Sequence, residues 1–252
     1  MHELSFISGG TKLRGTFFDA KPDDWAAPLV IILTGDGSKG SKSDTWGPVT
    51  RTLNEAGISA FIFDFHGLGL SEGSKSELSL TRGITNFLDA LKCLRDNVDL
   101  SRRKIGALGS SFGGAVVLSS LQDIPPFDAI VLKSPASFLP EAYENEHGSF
   151  EEMSKWRQSK ISARSGLNYE AYLDAINHNI YRNVHLAQCP VLIIHGDVDS
   201  TVPIRQSKRL AFLIGSNATL VEVKGGDHDY KQPGAMETLL QETKSFFERT
   251  LR

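Results

Sequence analysis

The stretch KIGALGSSFGG, from Lys104 to Gly114, predicts a buried strand that turns directly into a helix. Within it, Gly109, Ser111 and Gly113 fit Gly-x-Ser-x-Gly, a pattern that lifts a serine hydroxyl above a parallel sheet in a tight turn. Side chains at the two glycines would collide with the adjoining strand and helix. Apolar residues follow at 115–118, as in a buried helix. Although Gly/Ser patterns also occur in ordinary loops, these flanks indicate Ser111 as a nucleophile.

Composition limits the class of protein. A chain of 252 residues with 40% hydrophobic and 23% charged residues can bury one large core as a single α/β domain. The net charge of −3, without a run of Lys or Arg, argues against nucleic acid and anionic membranes and favours a small neutral substrate. We expect no targeting segment, no membrane insertion and a cytoplasmic location. Cys93 and Cys189 are expected to be packing residues in a reducing compartment.

Hydrophobic patterns predict strands and helices in alternation. Two alternating stretches joined through glycines, residues 3–7 and 12–18, predict an antiparallel hairpin. Apolar runs predict further strands at 29–34, 59–63, 105–108, 129–132, 191–194 and 220–223. Helical spacing predicts helices at 45–56, 80–94 and 234–251. The sequence therefore predicts an α/β fold with a mostly parallel, doubly wound sheet and an N-terminal antiparallel hairpin.

The interval between the predicted strands at 129–132 and 191–194 is too long for an ordinary connection between strands. We therefore divide the chain into a core of residues 1–135 and 187–252 and a small inserted helical cap of residues 136–186. Aromatic residues at helical spacing within the cap favour two or three short helices. Trp156, Tyr169 and Tyr172 are candidates for lining an acyl or aryl pocket, or they pack the cap onto the core.

A serine hydroxyl is a weak nucleophile, so Ser111 requires a base and a group that orients the base. Asp197 and Asp199 follow the strand at 191–194, and His228 follows the last strand. The order serine, aspartate, histidine is the one expected for a nucleophile elbow on this sheet, and either aspartate could serve. A metal site made of these aspartates with His195 and His228 is disfavoured, because His195 ends a buried strand.

These motifs together resemble the α/β-hydrolase superfamily, in particular its small capped serine esterases and lipases, which include the cinnamoyl (feruloyl) esterases. The matching residues are Gly196, Asp199, Val202 and Pro203 in Gly-x-x-Asp-x-x-Val-Pro, Asp227 and His228 in Asp-His, and Asp64, His66, Gly67, Gly69 and Ser71 in Asp-x-His-Gly-x-Gly-x-Ser. The resemblance implies a catalytic triad of Ser111, Asp199 and His228, with no metal and no cofactor. Asp64 and His66 are interpreted as structural residues that fix a glycine-rich loop.

The resemblance also implies an oxyanion hole made by the backbone N–H groups of Phe112 and Asp36. Where the family more often has His-Gly followed by an apolar residue, this sequence has Thr34, Gly35 and Asp36. A carboxylate beside a developing oxyanion would oppose catalysis, so we expect the Asp36 side chain to point away from it. Asp36 and Lys39 would then tune selectivity at the mouth of the pocket.

The predicted function is a carboxylester hydrolase that acts on small acyl or hydroxycinnamoyl-type esters through an acyl-enzyme. Two alternatives stay open: the same triad acting on an amide, peptide or thioester, and a hydrolase-fold protein that binds a ligand without turnover. A dehalogenase and a dienelactone hydrolase are disfavoured, because they would have Asp and Cys in place of Ser111. The expected partner is a small-molecule ester, and the expected state is a monomer or homodimer.

Overall fold

Across residues 1–21 and 24–252, which the computed structural model describes, eight strands and eight α-helices follow one another. The strands are β1 (His2–Ser8), β2 (Thr11–Phe18), β3 (Leu29–Leu33), β4 (Ser59–Phe63), β5 (Ile105–Ser110), β6 (Ala129–Lys133), β7 (Val191–Gly196) and β8 (Ala218–Val223). The helices are α1 (Trp46–Glu55), α2 (Leu80–Asn97), α3 (Phe112–Ser120), α4 (Leu139–His147), α5 (Phe150–Ser159), α6 (Glu170–Asn177), α7 (Ile204–Ile214) and α8 (Ala235–Thr250). Pro22 and Asp23, in the predicted loop before β3, lie outside the described residues.

All eight strands form one sheet in the order β1-β2-β4-β3-β5-β6-β7-β8. β1 pairs with β2, and β2 with β4, in antiparallel fashion; every other neighbouring pair is parallel. The predicted fold class, including the N-terminal hairpin, is confirmed. After β3 the chain continues to β4 on one side of the sheet and then crosses to β5 on the other side. A crevice therefore opens at the carboxyl ends of β3 and β5, where doubly wound sheets bind their ligands.

Both faces of the sheet are covered, which explains the unbroken apolar runs of its central strands. On β3, Ile31 and Leu33 belong to the core on the side of α2 and α3. Val30 and Ile32 belong to the core on the side of α1 and α8. The alternation of side chains along each strand therefore divides the hydrophobic core into two layers, and the loops at the strand ends are held between them.

Three α-helices, α4 to α6, and two short 3-10 helices lie between β6 and β7. Trp156 of α5 is at their centre: it stacks on the His147 ring at 4.3 Å, and its Nε1 donates a hydrogen bond of 2.9 Å to the carbonyl of Leu167. Asp174 of α6 accepts hydrogen bonds from the backbone N–H and hydroxyl of Thr81, in the first turn of α2. The division of the chain into core and cap stays a prediction.

Candidate active site

Ser111 lies between β5 and α3 in a conformation that a residue with a side chain rarely adopts. Its φ is 50° and its ψ is −115°. Two neighbouring segments hold it there: the N–H of Ser111 donates to the carbonyl of Lys133 at 2.9 Å, and the N–H of Ala136 donates to the carbonyl of Ser111 at 3.1 Å. Strain of this kind persists only where the surroundings enforce it, and here it directs the hydroxyl into the crevice.

The glycines on either side of Ser111 are required by close backbone contacts. A Cβ at Gly113 would lie 2.3 Å from the carbonyl oxygen of Leu33, at the end of β3. A Cβ at Gly109 would lie 2.8 Å from the Cα of Gly114, on α3. The elbow thus packs against a strand on one side and a helix on the other, as the sequence pattern predicts.

Ser111, His228 and Asp199 form a continuous chain of hydrogen bonds. His228 Nε2 lies 3.0 Å from Ser111 Oγ, and His228 Nδ1 lies 2.7 Å from Asp199 Oδ2. Because the carboxylate accepts from Nδ1–H, Nε2 is left free to accept the serine proton. Asp197 makes a different contact, accepting from the N–H of Gly225 at 2.6 Å. The structure therefore brings Asp199, and not Asp197, to the histidine.

The environment of Asp199 keeps its carboxyl group ionised. Its side chain is fully buried and accepts hydrogen bonds from the backbone N–H groups of Thr201 and Val202. Burial acts to raise the pKa of Asp199, but the hydrogen bonds from His195 and His228 outweigh it and hold the pKa well below its ordinary value. An ionised acceptor is what the orientation of His228 requires.

His195 contributes to the site in a way that the sequence did not indicate. It is fully buried, its Nε2 lies 2.8 Å from the carbonyl of Val202 and 3.3 Å from Asp199 Oδ2, and its Nδ1 lies 2.6 Å from the Ser207 hydroxyl. These contacts fix the loop that carries Asp199. Only the position of His195 at a strand end, four residues before the aspartate, could have pointed to it.

Lys133, the last residue of β6, is a second residue that the sequence did not single out. It is 5% exposed, its Nζ donates a hydrogen bond of 2.8 Å to the main-chain carbonyl of His228, and the ammonium lies 4.2 Å from the centre of the Tyr230 ring. Burial lowers the pKa of Lys133 to about 8, against the opposing effect of Asp199 and two other aspartates. The lysine therefore ties β6 to the histidine loop.

A cavity of about 500 Å³ opens above Ser111. Its wall combines the loop after β3, the elbow, the histidine loop and one side of α4. Asp36 and Phe112 both belong to this wall, and the N–H of Phe112 is in the first turn of α3, where helical N–H groups have no partner within the helix. The assignment of these two N–H groups to an oxyanion hole stays a prediction.

The predicted pocket aromatics Trp156, Tyr169 and Tyr172 do not belong to the described wall of this cavity. They contact one another instead: the ring centres of Trp156 and Tyr169 are 5.4 Å apart, and those of Tyr169 and Tyr172 are also 5.4 Å apart. Helical spacing identifies the side of a helix that packs, and between β6 and β7 that side faces the neighbouring helices, so this cavity does not support the assignment of the three aromatics to a pocket, which stays a prediction. Tyr143 of α4 is a tyrosine between β6 and β7 that does reach the cavity.

The loop after β3 is fastened by Asp64, which follows β4. The Asp64 carboxylate accepts hydrogen bonds from the N–H of Ser41 at 2.5 Å and from the N–H of Leu70 at 2.8 Å. His66 lies 2.7 Å from Glu77, away from the triad. Both observations agree with the structural interpretation of Asp64 and His66.

Within residues 1–21 and 24–252, no group of three or more His, Cys, Asp or Glu side chains is arranged to hold a metal ion. None of the helices described is both long enough and apolar enough to cross a bilayer.

Comparison with known families identifies the family to which the chain belongs. A model of the prolyl oligopeptidase family, Peptidase_S9, matches residues 51–252, which include Ser111, Asp199 and His228. The chain belongs to the prolyl oligopeptidase family. It is therefore an α/β hydrolase, as the resemblance implied, and an enzyme of the hydrolase class. The matched region begins after β3, so the loop that carries Asp36 lies outside it.

Individual relatives include a lipase, and one similar solved structure holds ferulic acid. The structure of ferulic acid bound to Est1E from Butyrivibrio proteoclasticus is 26% identical, covers 98% of both chains and has a TM-score of 0.85. The uncharacterized protein YfhR of Escherichia coli (strain K12) is 27% identical over 222 residues, 87% of this chain and 70% of that protein. Lysophosphatidylserine lipase ABHD12 of Danio rerio is 29% identical over 203 residues, 77% of this chain and 49% of that protein.

Proposed function

We propose that the chain is a serine carboxylester hydrolase that acts on small acyl or hydroxycinnamoyl-type esters. The observation that carries the proposal is the chain of hydrogen bonds from Ser111 through His228 to Asp199, at 3.0 and 2.7 Å, at the bottom of a cavity. A similar structure with bound ferulic acid supports the hydroxycinnamoyl class.

In the proposed mechanism, His228 Nε2 takes the proton of Ser111 as the serine oxygen attacks the ester carbonyl. Asp199 holds the imidazole in the tautomer that can accept this proton and stabilises the imidazolium that forms. The histidine then protonates the leaving alcohol, and an acyl-enzyme remains. A water molecule, deprotonated by His228, attacks the acyl-enzyme and releases the acid, and the proton returns to Ser111.

The negative charge that develops on the carbonyl oxygen needs donors that are already in place. The backbone N–H groups of Phe112 and Asp36 are proposed for this role. Each such donor is worth about 3 to 4 kcal/mol of transition-state stabilisation, or roughly 100- to 1000-fold in rate. The backbone can donate whatever its side chain is, so Asp36 in place of an apolar residue is compatible with the role.

A panel of 4-nitrophenyl esters of increasing acyl chain length, together with a methyl hydroxycinnamate, tests the proposal. We expect hydrolysis that Ser111→Ala abolishes, and labelling of Ser111 by a fluorophosphonate probe in the folded protein. The absence of a Ser111 adduct would exclude hydrolysis by this serine and would favour a protein that binds a ligand without turnover.

Amide or peptide hydrolysis is the second candidate, and membership of the prolyl oligopeptidase family is the observation that favours it. Thioester hydrolysis would use the same residues. Matched ester and amide substrates with the same acyl group separate the candidates. The proposed esterase turns over the ester faster, after correction for the intrinsic reactivity of each bond, and faster amide turnover would reverse the assignment.

The proposal also includes a cellular location and an oligomeric state. The free thiols of Cys93 and Cys189 suit a reducing compartment, and we assign the protein to the cytoplasm on that basis. A monomer or a homodimer is proposed, and sedimentation of the purified protein distinguishes the two.

A further inference from the structure

Three polar side chains in the cavity wall have no partner among the described residues. Tyr143 is 2% exposed, yet its hydroxyl makes no hydrogen bond to the described part of the chain, and it belongs to the wall of the cavity. Asp36 and Glu146 are half-buried in the same wall, and neither carboxylate forms an ion pair or a hydrogen bond with the described residues. Polar groups that line a cavity and have no partner within the described chain are available to a ligand that enters it.

The three groups lie close enough to influence one another. Burial, followed by the charges of Asp36 and Glu146, raises the pKa of Tyr143 well above its ordinary value. Burial, followed by the charge of Asp36, also raises the pKa of Glu146. Asp36 comes from the loop after β3 and the other two from α4, so two separate segments of the chain supply this part of the cavity wall.

The cationic side chains nearby do not neutralise this pair. Lys133 donates to a main-chain carbonyl of the histidine loop, and Lys39 is exposed at the rim of the cavity. Lys75, Arg164 and His228 oppose the rise in the pKa of Glu146, but none of these side chains lies within ion-pair distance of its carboxylate. Two carboxylates and a phenol oxygen in the cavity wall are therefore left without a partner among the described residues.

We propose that Asp36, Tyr143 and Glu146 form a subsite for a protonated amine, so that the preferred substrate is an ester that carries an ammonium group close to the bond that is cleaved. A protonated amine offers N–H donors and a positive charge to two carboxylates and a phenol oxygen at once, which a neutral chain cannot do. The inference rests on the proposed function, because it places this group on the substrate of Ser111.

The position of the subsite follows from the loop that carries Asp36. A Cβ at the preceding residue, Gly35, would lie 3.6 Å from the Cβ of Ser111, so the loop passes directly over the nucleophile. A group bound by the side chain of Asp36 is therefore only a few bonds from the reacting carbonyl. The negative charge of Asp36 is offset by the bound ammonium, which removes its unfavourable effect on the developing oxyanion.

Pairs of esters that have the same shape and differ only in charge test the inference. In the alcohol arm, the 2-(dimethylammonio)ethyl ester of an acid is compared with the 3-methylbutyl ester of the same acid. In the acyl arm, an N,N-dimethylglycyl ester is compared with the 3-methylbutanoyl ester of the same alcohol. Each kcat/KM is divided by the rate of hydrolysis by hydroxide, so that differences in intrinsic reactivity cancel.

The expected result is a preference for the ammonium ester of about tenfold or more in at least one arm, as one charge-assisted hydrogen bond can provide. Glu146→Gln and Asp36→Asn each reduce this preference, because each replaces a carboxylate with a neutral amide of the same shape. Glu151→Gln is the matched control: it makes the same substitution on the exposed side of α5, where the Glu151 side chain is 77% exposed and pairs with Lys155, and it leaves the preference unchanged.

A binding measurement keeps the inference separate from the proposed function. The affinity of the same ester pairs for Ser111→Ala, measured by titration calorimetry, does not depend on turnover. Tighter binding of the ammonium ester that both carboxylate substitutions weaken supports the subsite, even if a different bond is the natural target. Equal affinities overturn the inference, as does a preference that survives both substitutions. Hydrolysis that depends on Ser111 but shows no charge preference leaves the esterase proposal standing and removes the subsite.

Discussion

Lys133 places a positive charge inside the fold, and replacing it with methionine separates what this charge does for stability from what it does for activity. Methionine is similar in length and apolar, so Lys133→Met removes the ammonium while filling most of its space. The change also removes the hydrogen bond of 2.8 Å to the carbonyl of His228 and the contact with the Tyr230 ring. Both losses act on the loop that carries the proposed catalytic base.

The size of the effect on stability follows from the pKa of this lysine. In the fold it is about 8, and the ordinary value is 10.5. Between these pH values the unfolded chain binds a proton that the folded protein has released, so the wild-type protein gains stability as the pH rises. The whole difference corresponds to about 3 kcal/mol. Lys133→Met has no such group, so the difference in stability between the two proteins carries the pH dependence of this lysine.

The assay is urea unfolding of both proteins at pH 7 and pH 10. The free energy of unfolding of the wild type, minus that of Lys133→Met, should increase by about 2 to 3 kcal/mol between these conditions. Lys208→Met, which changes an exposed lysine paired with Glu222, should show no such increase. We also expect Lys133→Met to lower kcat about 10- to 100-fold, because the histidine loop loses its support. A stability difference that is the same at both pH values would refute the reasoning.

Further substitutions test the triad and the helices between β6 and β7. Asp199→Asn should lower kcat about 10,000-fold, because an amide no longer selects the tautomer of His228. Steady-state kinetics measures kcat and circular dichroism checks that the variant is folded; a loss of kcat below tenfold would contradict the assignment of Asp199. Trp156→Ala should cost about 3 to 5 kcal/mol of unfolding free energy, and Trp156→Phe about 1 kcal/mol for the lost hydrogen bond to Leu167. Urea unfolding measures the loss of unfolding free energy in both variants. If Trp156→Phe changed KM without changing stability, Trp156 would line the substrate pocket after all.

The elbow could be predicted from the sequence because its backbone geometry restricts which residues can occupy fixed positions. Gly109 and Gly113 have no room for a side chain, and that exclusion is visible as a local pattern. The strands could be predicted for a similar reason: a strand covered on both faces must be apolar at consecutive positions. A structural requirement that restricts neighbouring residues, such as steric exclusion or burial on both faces, produces a local pattern that can be read from the sequence.

The contacts that hold the site in place could not be predicted, because they join residues that are distant in the chain. Lys133 binds a main-chain carbonyl 95 residues away, and a carbonyl has no signature in the sequence. The sequence identifies His195 only as the end of a buried strand, and the structure shows that it approaches Asp199. Such contacts depend on the assembled fold and on no local pattern.

The helices between β6 and β7 show a different limit of sequence reasoning. Periodicity identified the apolar positions Trp156, Tyr169 and Tyr172 but not the surface against which they pack. Net charge was similarly uninformative about the cavity, since a chain with a formal charge of −3 can still place two unpaired carboxylates in one wall. Composition describes the whole surface, whereas selectivity depends on a few side chains.

The hydrogen bonds that the Asp64 carboxylate accepts from Ser41 and Leu70 hold the loop after β3 within the fold itself. Because these contacts are internal, the conformational entropy of the loop is lost during folding, and substrate binding does not have to order it. A loop fixed in this way can change its side chains without changing its path. Substitutions at Asp36 or Lys39 can therefore change the wall of the cavity while the backbone over Ser111 stays in place.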